Sequence, residues 1–430
     1  MKYTSIPSAL YTENRRRFVE QMKPNSVAIF HASPTLPKSG DGTYSYHQDA
    51  DILWLSGIVQ EKTLVILYPD NPDKNAREVL VLLRPNDTLE KWVGHKLRKN
   101  EATAISGISN VQWLDGLDVM LQVMMNSADY VYLNTNEHNR LDTELPRLDL
   151  EFVHSTMKLY PLHHYERAAQ ITKKLRPIKT AAEIDVVKQA VNITHKALNR
   201  VLQFVKPGVK EYEIEAEIIH EFISNRATGH AYDPIIASGD RARVLHYIDN
   251  NDECKDGELI LMDFGAQYGN YNADLTRTIP VNGKFTPRQK EVYEACLAVH
   301  NFGKNLLKPG LQFPDYVKAI NEEMERQLIK IGLITEEDIK KQDADNPAFR
   351  KYFYHGVTHH LGLVVHDSGS YMDEVKEGML FTIEPGIYIE EEQMGIRIEN
   401  NIWITKDGNE DLFKGIPITV DEIEAAMKKG

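Results

Sequence analysis

The sequence predicts an α/β N-terminal domain followed by an α+β domain built on an internal pseudo-twofold repeat. Three observations predict this. Strand-like and helix-like segments alternate through the first part of the chain. A long amphipathic helix with its own start and stop signals follows. Beyond it, an eleven-residue pattern occurs twice with acidic residues in register.

In the first part, SVAIFHA, DILWLSGI, TLVILYPD, REVLVLLRP and DYVYLNT read as strands, because β-branched and aromatic residues run together between turn formers. YTENRRRFVEQM and LDGLDVMLQVMM read as helices. The segment LRPIKTAAEIDVVKQAVNITHKALNRVLQFVKPG comes next. Thr180 and Glu183 form a capping-box pair at its start. Ile184, Val187, Val191, Leu198, Val201 and Val205 share one helical face. Pro207 and Gly208 end the helix. The domain boundary falls just before it, giving domains 1–173 and 174–430.

The repeat compares KDGELILMDFG, from Lys255, with KEGMLFTIEPG, from Lys376. The copies lie 121 residues apart (255 to 376), and the same offset carries Asp263 onto Glu384. Each copy runs through a turn into a second acid-bearing segment, with Asp274 in the first and Glu399 in the second. VKPG at 205–208 and LKPG at 307–310, each before a helix, extend the duplication. Leu259 to Met262 form an unbroken apolar run suited to a buried strand, yet the run ends in Asp263. An unpaired buried carboxylate is costly. If the copies pack about a pseudo-twofold axis, four carboxylates converge, and cations are needed to offset their repulsion. A plainer reading pairs them with Arg277 and Arg397, but one ion pair per copy would not require a duplicated pattern.

HGVTHHLGLVVHD, His355 to Asp367, holds four histidines in thirteen residues. A lone histidine is ordinarily a core or surface residue, whereas four just before an acid-bearing strand point to a site. RVLHYIDN places His246 just upstream of the first acid-bearing strand.

With MDFGAQYGNYNADLTRTIPVNGKF, TIEPGIYI, GIRIENNIWI, YHQDADILWLSG and EKWVGHKLR, these segments resemble the pita-bread metallopeptidases over essentially the whole chain, and most closely the Xaa-Pro aminopeptidase (aminopeptidase P) family. The resemblance implies five metal ligands: Asp263, Asp274, His359, Glu384 and Glu399. It selects His359 over His360 by its position four residues after His355. It also implies that Glu384 and Glu399 bridge two ions and that Asp263 is bidentate. His246 and His366 would contact substrate and the tetrahedral intermediate, while Tyr232, His355, Tyr388 and Arg397 line the same site. Four carboxylates and one imidazole form a mostly hard-oxygen donor set, which suits two divalent ions, Mn²⁺ above all, better than the sets typical of zinc. The implied reaction is attack of metal-activated hydroxide on the carbonyl before proline, with Glu384 passing a proton to the leaving nitrogen. His246 and His355 would wall the proline pocket. Trp92 is read either as a further wall reaching in from a neighbouring subunit or as plain core packing. Asp41, in SGDGTY, would lie at an oligomer contact near the free amine. The implied partners are peptides beginning Xaa-Pro and further copies of the chain, as a dimer or tetramer. Two other readings stand beside this one: an Xaa-Pro dipeptidase (prolidase), with the same ligands, and a pita-bread binding module without catalysis. The segment SGSYMDEVKEG after Asp367 is short and carries no arginine, unlike the family's close bacterial members, and the turn EEEQMG is also short.

Composition narrows the alternatives. The formal net charge is −13 and the pI near 5.7, which argues against nucleic acid or an anionic membrane as the main partner. No apolar run approaches the roughly 20 residues of a membrane span, and MKYTSIPSALYTENRRRF lacks a signal-peptide core. The two cysteines, Cys254 and Cys296, read as reduced thiols of a cytoplasmic protein.

Overall fold

A six-stranded sheet forms around the most apolar segments of the first part. The computed structural model describes residues 3–138, 147–343 and 345–428. Ser5–Arg176 form one compact unit, and the residues from Pro177 onward, together with the N-terminal residues up to Thr4, form the second. The sheet order in the first unit is Asn110–Trp113, Glu78–Leu82, Leu64–Leu67, Ser26–His31, Tyr130–Leu133, His164–Arg167. Leu64–Leu67 pairs antiparallel with both its neighbours, and the other contacts are parallel. The two central strands are buried at every position. One face packs Val27, Ile29, Ile66 and Val131 against Met124 and Met125 of the helix Leu117–Met125.

DILWLSGI is the exception to the strand reading, because Ala50–Ser56 is a helix. The Asp49 side chain accepts from the backbone N–H groups of Asp51 and Ile52. Gly57 closes the helix in the left-handed region at φ 67°. Two capping signals outweigh the β-propensity of the apolar residues between them. The strands Asn110–Trp113 and His164–Arg167 are too polar to stand out by pattern.

In the second unit, the capping-box helix spans Ala181–Phe204, and the six apolar positions read from its periodicity are buried on it or at its C-cap. The duplication is physical. In copy one, Ile235–Ser238, Leu259–Asp263 and Thr276–Pro280 form an antiparallel sheet. In copy two, Leu380–Ile383, Asn400–Thr405 and Gly408–Asp411 do the same. KPG leads into the helices Glu211–Ser224 and Phe313–Lys330. The equivalence reaches single hydrogen bonds: Gly208 N–H donates to Cys254 O at 2.8 Å, and Gly310 N–H donates to Val375 O at 3.0 Å. Gly257 and Gly378 occupy the same repeat position with φ of 82° and 86°, where a side chain would be strained. The second glycine of the pattern serves close approach instead. A Cβ on Gly265 would fall 1.8 Å from Ala273 O, and one on Gly386 would fall 2.4 Å from the Tyr388 hydroxyl.

Candidate metal centre

Each acid of the pattern is fixed by a strand end, and the two copies meet through their second strands. Asp263 is the last residue of Leu259–Asp263 and lies opposite Thr276. Asp274 is fastened from the other copy: its N–H donates to Asn401 Oδ1 at 3.1 Å, and Asn401 Nδ2 donates to its carbonyl at 2.6 Å. Glu399 is fastened reciprocally. Its N–H donates to Thr276 O at 3.1 Å, and Thr276 Oγ1 donates to its Oε2 at 2.7 Å.

Asp274, His359 and Glu399 are all buried, and ligand atoms from the three lie within 4.8 Å of one another. His359 Nε2 lies 3.5 Å from Asp274 Oδ2 and 3.7 Å from Glu384 Oε1. Its Nδ1 faces the His360 carbonyl at 3.0 Å. A carbonyl only accepts, so Nδ1 carries the hydrogen and Nε2 is turned to the acids. Asp263 and Glu384 flank this trio rather than joining its tightest grouping. The Tyr232 hydroxyl sits 2.5 Å from both Asp263 Oδ1 and Asp274 Oδ1. One hydroxyl has one proton, so the pair of carboxylates calls for a further positive charge. Of the two arginines near the acids, only Arg397 pairs with one, at 2.7 Å from Asp263 Oδ2. Arg277 instead donates to the carbonyls of Thr276, Glu399 and Pro417 and to Asn400 Oδ1.

The electrostatics are those of crowded anions. Burial, with the charge of Asp263, raises the Asp274 pKa against the hydrogen bond to His359. Glu384 is pushed up to about 7 by burial, against the pull of His359 and Arg397. Glu399 stands well above the usual range through burial and then Asp274, Asp263 and Glu384. Burial disfavours a charged His359, but Asp274 and Glu384 outweigh it and its pKa rises. One oxygen of this cluster, Glu399 Oε1, is buried without a hydrogen-bond partner. A buried carboxyl oxygen left without a partner, beside an imidazole nitrogen and a second carboxylate, fits a cation.

Three of the remaining site residues predicted from sequence, Arg397, Tyr388 and His355, form a relay at one side. Arg397 Nη1 donates to the Tyr388 hydroxyl at 3.0 Å, which lies 2.8 Å from His355 Nε2. His355 Nδ1 faces the Gly356 carbonyl at 2.8 Å, so Nε2 accepts from Tyr388. Burial, reinforced by Arg397, pulls His355 down to about 3, and the charge of His246 acts in the same direction. His246 itself is exposed. The His366 ring stands edge-on to His359, centroids 4.4 Å apart. His360 belongs to the core, packed on Phe381 and Tyr371. In the N-terminal unit, Trp92 is 85% exposed on the helix Asp87–Val93, which rules out the core-packing reading, and Asp41 is exposed in a hairpin turn. Sequence reasoning missed Asn401 and Thr276. The visible signal for the first was a pair of asparagines, Asn400 and Asn401, inside an apolar strand directly after Glu399.

Residues 185–406 match metallopeptidase family M24, and residues 11–132 match the aminopeptidase P N-terminal domain. The chain belongs to metallopeptidase family M24. Over 97% of each chain, it is 32% identical to the Xaa-Pro aminopeptidase of Escherichia coli (strain K12). It superposes on a Bacillus anthracis protein assigned as an aminopeptidase P with a TM-score of 0.90, at 35% identity and 98% coverage of both chains. For Escherichia coli aminopeptidase P with the inhibitor Pro-Leu, the TM-score is 0.86, at 30% identity and 99% coverage of both. Family and superposition together give the architecture: an aminopeptidase P-type N-terminal domain and an M24 pita-bread catalytic domain. Membership of M24 implies divalent-metal binding, and the buried trio supplies a matching donor group.

Proposed function

We propose that this chain is a metal-dependent Xaa-Pro aminopeptidase, releasing the first residue of peptides whose second residue is proline. The observation that carries the reading is the buried Asp274–His359–Glu399 trio with its orphan Glu399 oxygen, in a chain that is 31–32% identical over nearly its full length to two bacterial proteins of that name. Asp263, Asp274, His359, Glu384 and Glu399 would hold two divalent ions, Mn²⁺ being favoured by the hard-oxygen donor set. Bound there, the ions would lower the pKa of a water and polarise the scissile carbonyl.

The chain's own residues do the rest. Glu384, 20% exposed and so the most open of the four acids, receives the water's proton and returns it to the leaving nitrogen. His366, edge-on to His359, donates to the developing oxyanion. The Xaa-Pro bond has no N–H to recognise, and its ring fixes the backbone. Recognition therefore falls to shape, and His246 and His355 wall the ring pocket. The Arg397–Tyr388–His355 relay holds His355 neutral and oriented, while Tyr232 orients Asp263 and Asp274. Trp92 and Asp41 contribute from a neighbouring subunit, which makes the working enzyme a homo-oligomer, a dimer or tetramer. We place it in the cytoplasm, its division into domains near residue 173.

Hydrolysis of Ala-Pro, Ala-Pro-Ala and Ala-Ala-Ala by Mn²⁺-loaded protein tests the reading. Cleavage of Ala-Pro-Ala with little cleavage of Ala-Ala-Ala is expected. Cleavage of the dipeptide alone would replace it with the dipeptidase reading. Hydrolysis of none of the three would favour a binding module.

A further inference from the structure

The histidine segment is braced by a group that has no part in the site as described so far. Within it, the His360 carbonyl accepts twice, from Asp367 N–H at 2.9 Å and from His359 Nδ1 at 3.0 Å. One backbone oxygen therefore sets both the ring of His359 and the position of Asp367, next to His366. The Asp367 carboxylate is held in turn. Its Oδ1 accepts from Ser368 N–H at 2.9 Å, and its Oδ2 lies 3.1 Å from Lys179 Nζ. The two side chains of this ion pair are 2% and 1% exposed. Lys179 stands at the start of the catalytic unit, and its N–H donates to Gly378 O at 2.8 Å. Four residues on, Glu183 accepts from the Tyr271 hydroxyl at 2.8 Å. Asn272, the next residue, donates through its N–H and its Nδ2 to the Gly362 carbonyl, both at 3.0 Å. Gly362 is where the pair crosses the segment: a Cβ there would fall 2.2 Å from Asp367 Oδ2 and 2.9 Å from Lys179 Cε.

A buried ion pair is weak as a source of stability, since desolvation offsets much of its attraction and apolar replacements of similar volume are often neutral or better. What it supplies is a fixed direction. Outer residues that orient a ligating or proton-donating histidine act through that direction. We propose that the Lys179–Asp367 ion pair, passing over Gly362, is the positioning device that fixes His359 and His366 relative to the acids. The role of His366 in turnover rests on the aminopeptidase reading, whereas the fixing of the segment does not.

Four variants test this: Lys179→Met, Asp367→Asn, the apolar pair K179M/D367L, and Gly362→Ala, which keeps both charges and blocks their approach. Backbone hydrogen exchange on the metal-free protein should show loss of protection confined to residues 359–369 in all of them. With Ala-Pro-Ala as substrate, kcat should fall about 10- to 100-fold while KM stays within about threefold. In a His366→Ala background, adding K179M/D367L should lower kcat no further through His366. Lys179→Met leaves a buried carboxylate uncompensated, so should it fail to fold, the apolar pair decides. A folded K179M/D367L protein with unchanged exchange at 359–369 and unchanged kcat would overturn the proposal. A full further loss in the His366→Ala background would overturn the His366 part. If wild type cleaves no Xaa-Pro peptide, the functional reading fails, and the exchange experiment still decides whether the pair holds the segment.

Discussion

A single oxygen shows how residue-level satisfaction organises this centre. Glu399 Oε2 is paid by Thr276 while Oε1 has no partner, although both are buried. An acceptor of this kind is retained where something positive completes it. Asp274→Ala, His359→Ala and Glu399→Ala are accordingly expected to abolish turnover, by roughly 10³-fold or more, comparable to or beyond loss of an oxyanion donor. Each variant should keep its far-ultraviolet circular dichroism spectrum and lose metal by elemental analysis. His366→Ala should differ in kind, retaining metal while kcat falls about 10²–10³-fold. Equal metal loss in His366→Ala and His359→Ala would show that the histidines have been divided wrongly.

At the scale of elements, what was legible in the sequence was whatever repeats or alternates. The helix Ala181–Phe204 announced itself by period and cap. The two acid-bearing hairpins announced themselves by matching each other, and the family segments brought His359 forward over His360. Fastening was not legible. Asn401 reaches Asp274 across 127 residues, and Lys179 reaches Asp367 across 188, so the local pattern at either end does not name the partner. DILWLSGI misled because its apolar run suits a strand, while the deciding groups, Asp49 and Gly57, lie outside it. The repeat's glycines invite a direct comparison. Gly265→Ala must push a Cβ into Ala273 O and is expected to cost about 3 kcal/mol. Gly208→Ala meets nothing within 4 Å and has only its φ of +90° to contend with, about 1–2 kcal/mol. Urea unfolding of the two variants should rank them in that order, and the reverse order would refute the close-approach account.

For the whole molecule, crowded anions tie stability to metal. Chelation should lower the melting temperature, and Mn²⁺ should restore it by linkage. An unchanged melting temperature in excess chelator, with no metal found by elemental analysis, would sink the metal-centre reading. Outside the site, a further group ties stability to protons. His300, on the helix Pro287–Leu306, is held down to about 3 by burial, aided by the charges of Arg277 and Lys304. Folded, it stays neutral; unfolded, it takes a proton below about 6.5. Its contribution is therefore complete above pH 6.5 and is lost as pH falls toward about 3, at up to about 1.4 kcal/mol per pH unit. In urea titrations between pH 7.5 and 4.5, His300→Leu should show a shallower acid slope than wild type. Parallel slopes would mean that His300 is not held neutral.

The reciprocal fastening of Asp274 by Asn401 and of Glu399 by Thr276 makes each half of the catalytic unit the scaffold for the other's ligand. Neither half is self-sufficient, so the fused chain behaves like a symmetric dimer whose partners were joined end to end. The join runs through the exposed turn around Asn282 and Lys284, which follows the end of the strand pair opposite to Asp263. Covalent continuity at that turn is then dispensable once the halves have met. Fragments 1–283 and 284–430, produced together, should co-purify and regain peptide hydrolysis, whereas either alone should hold no metal.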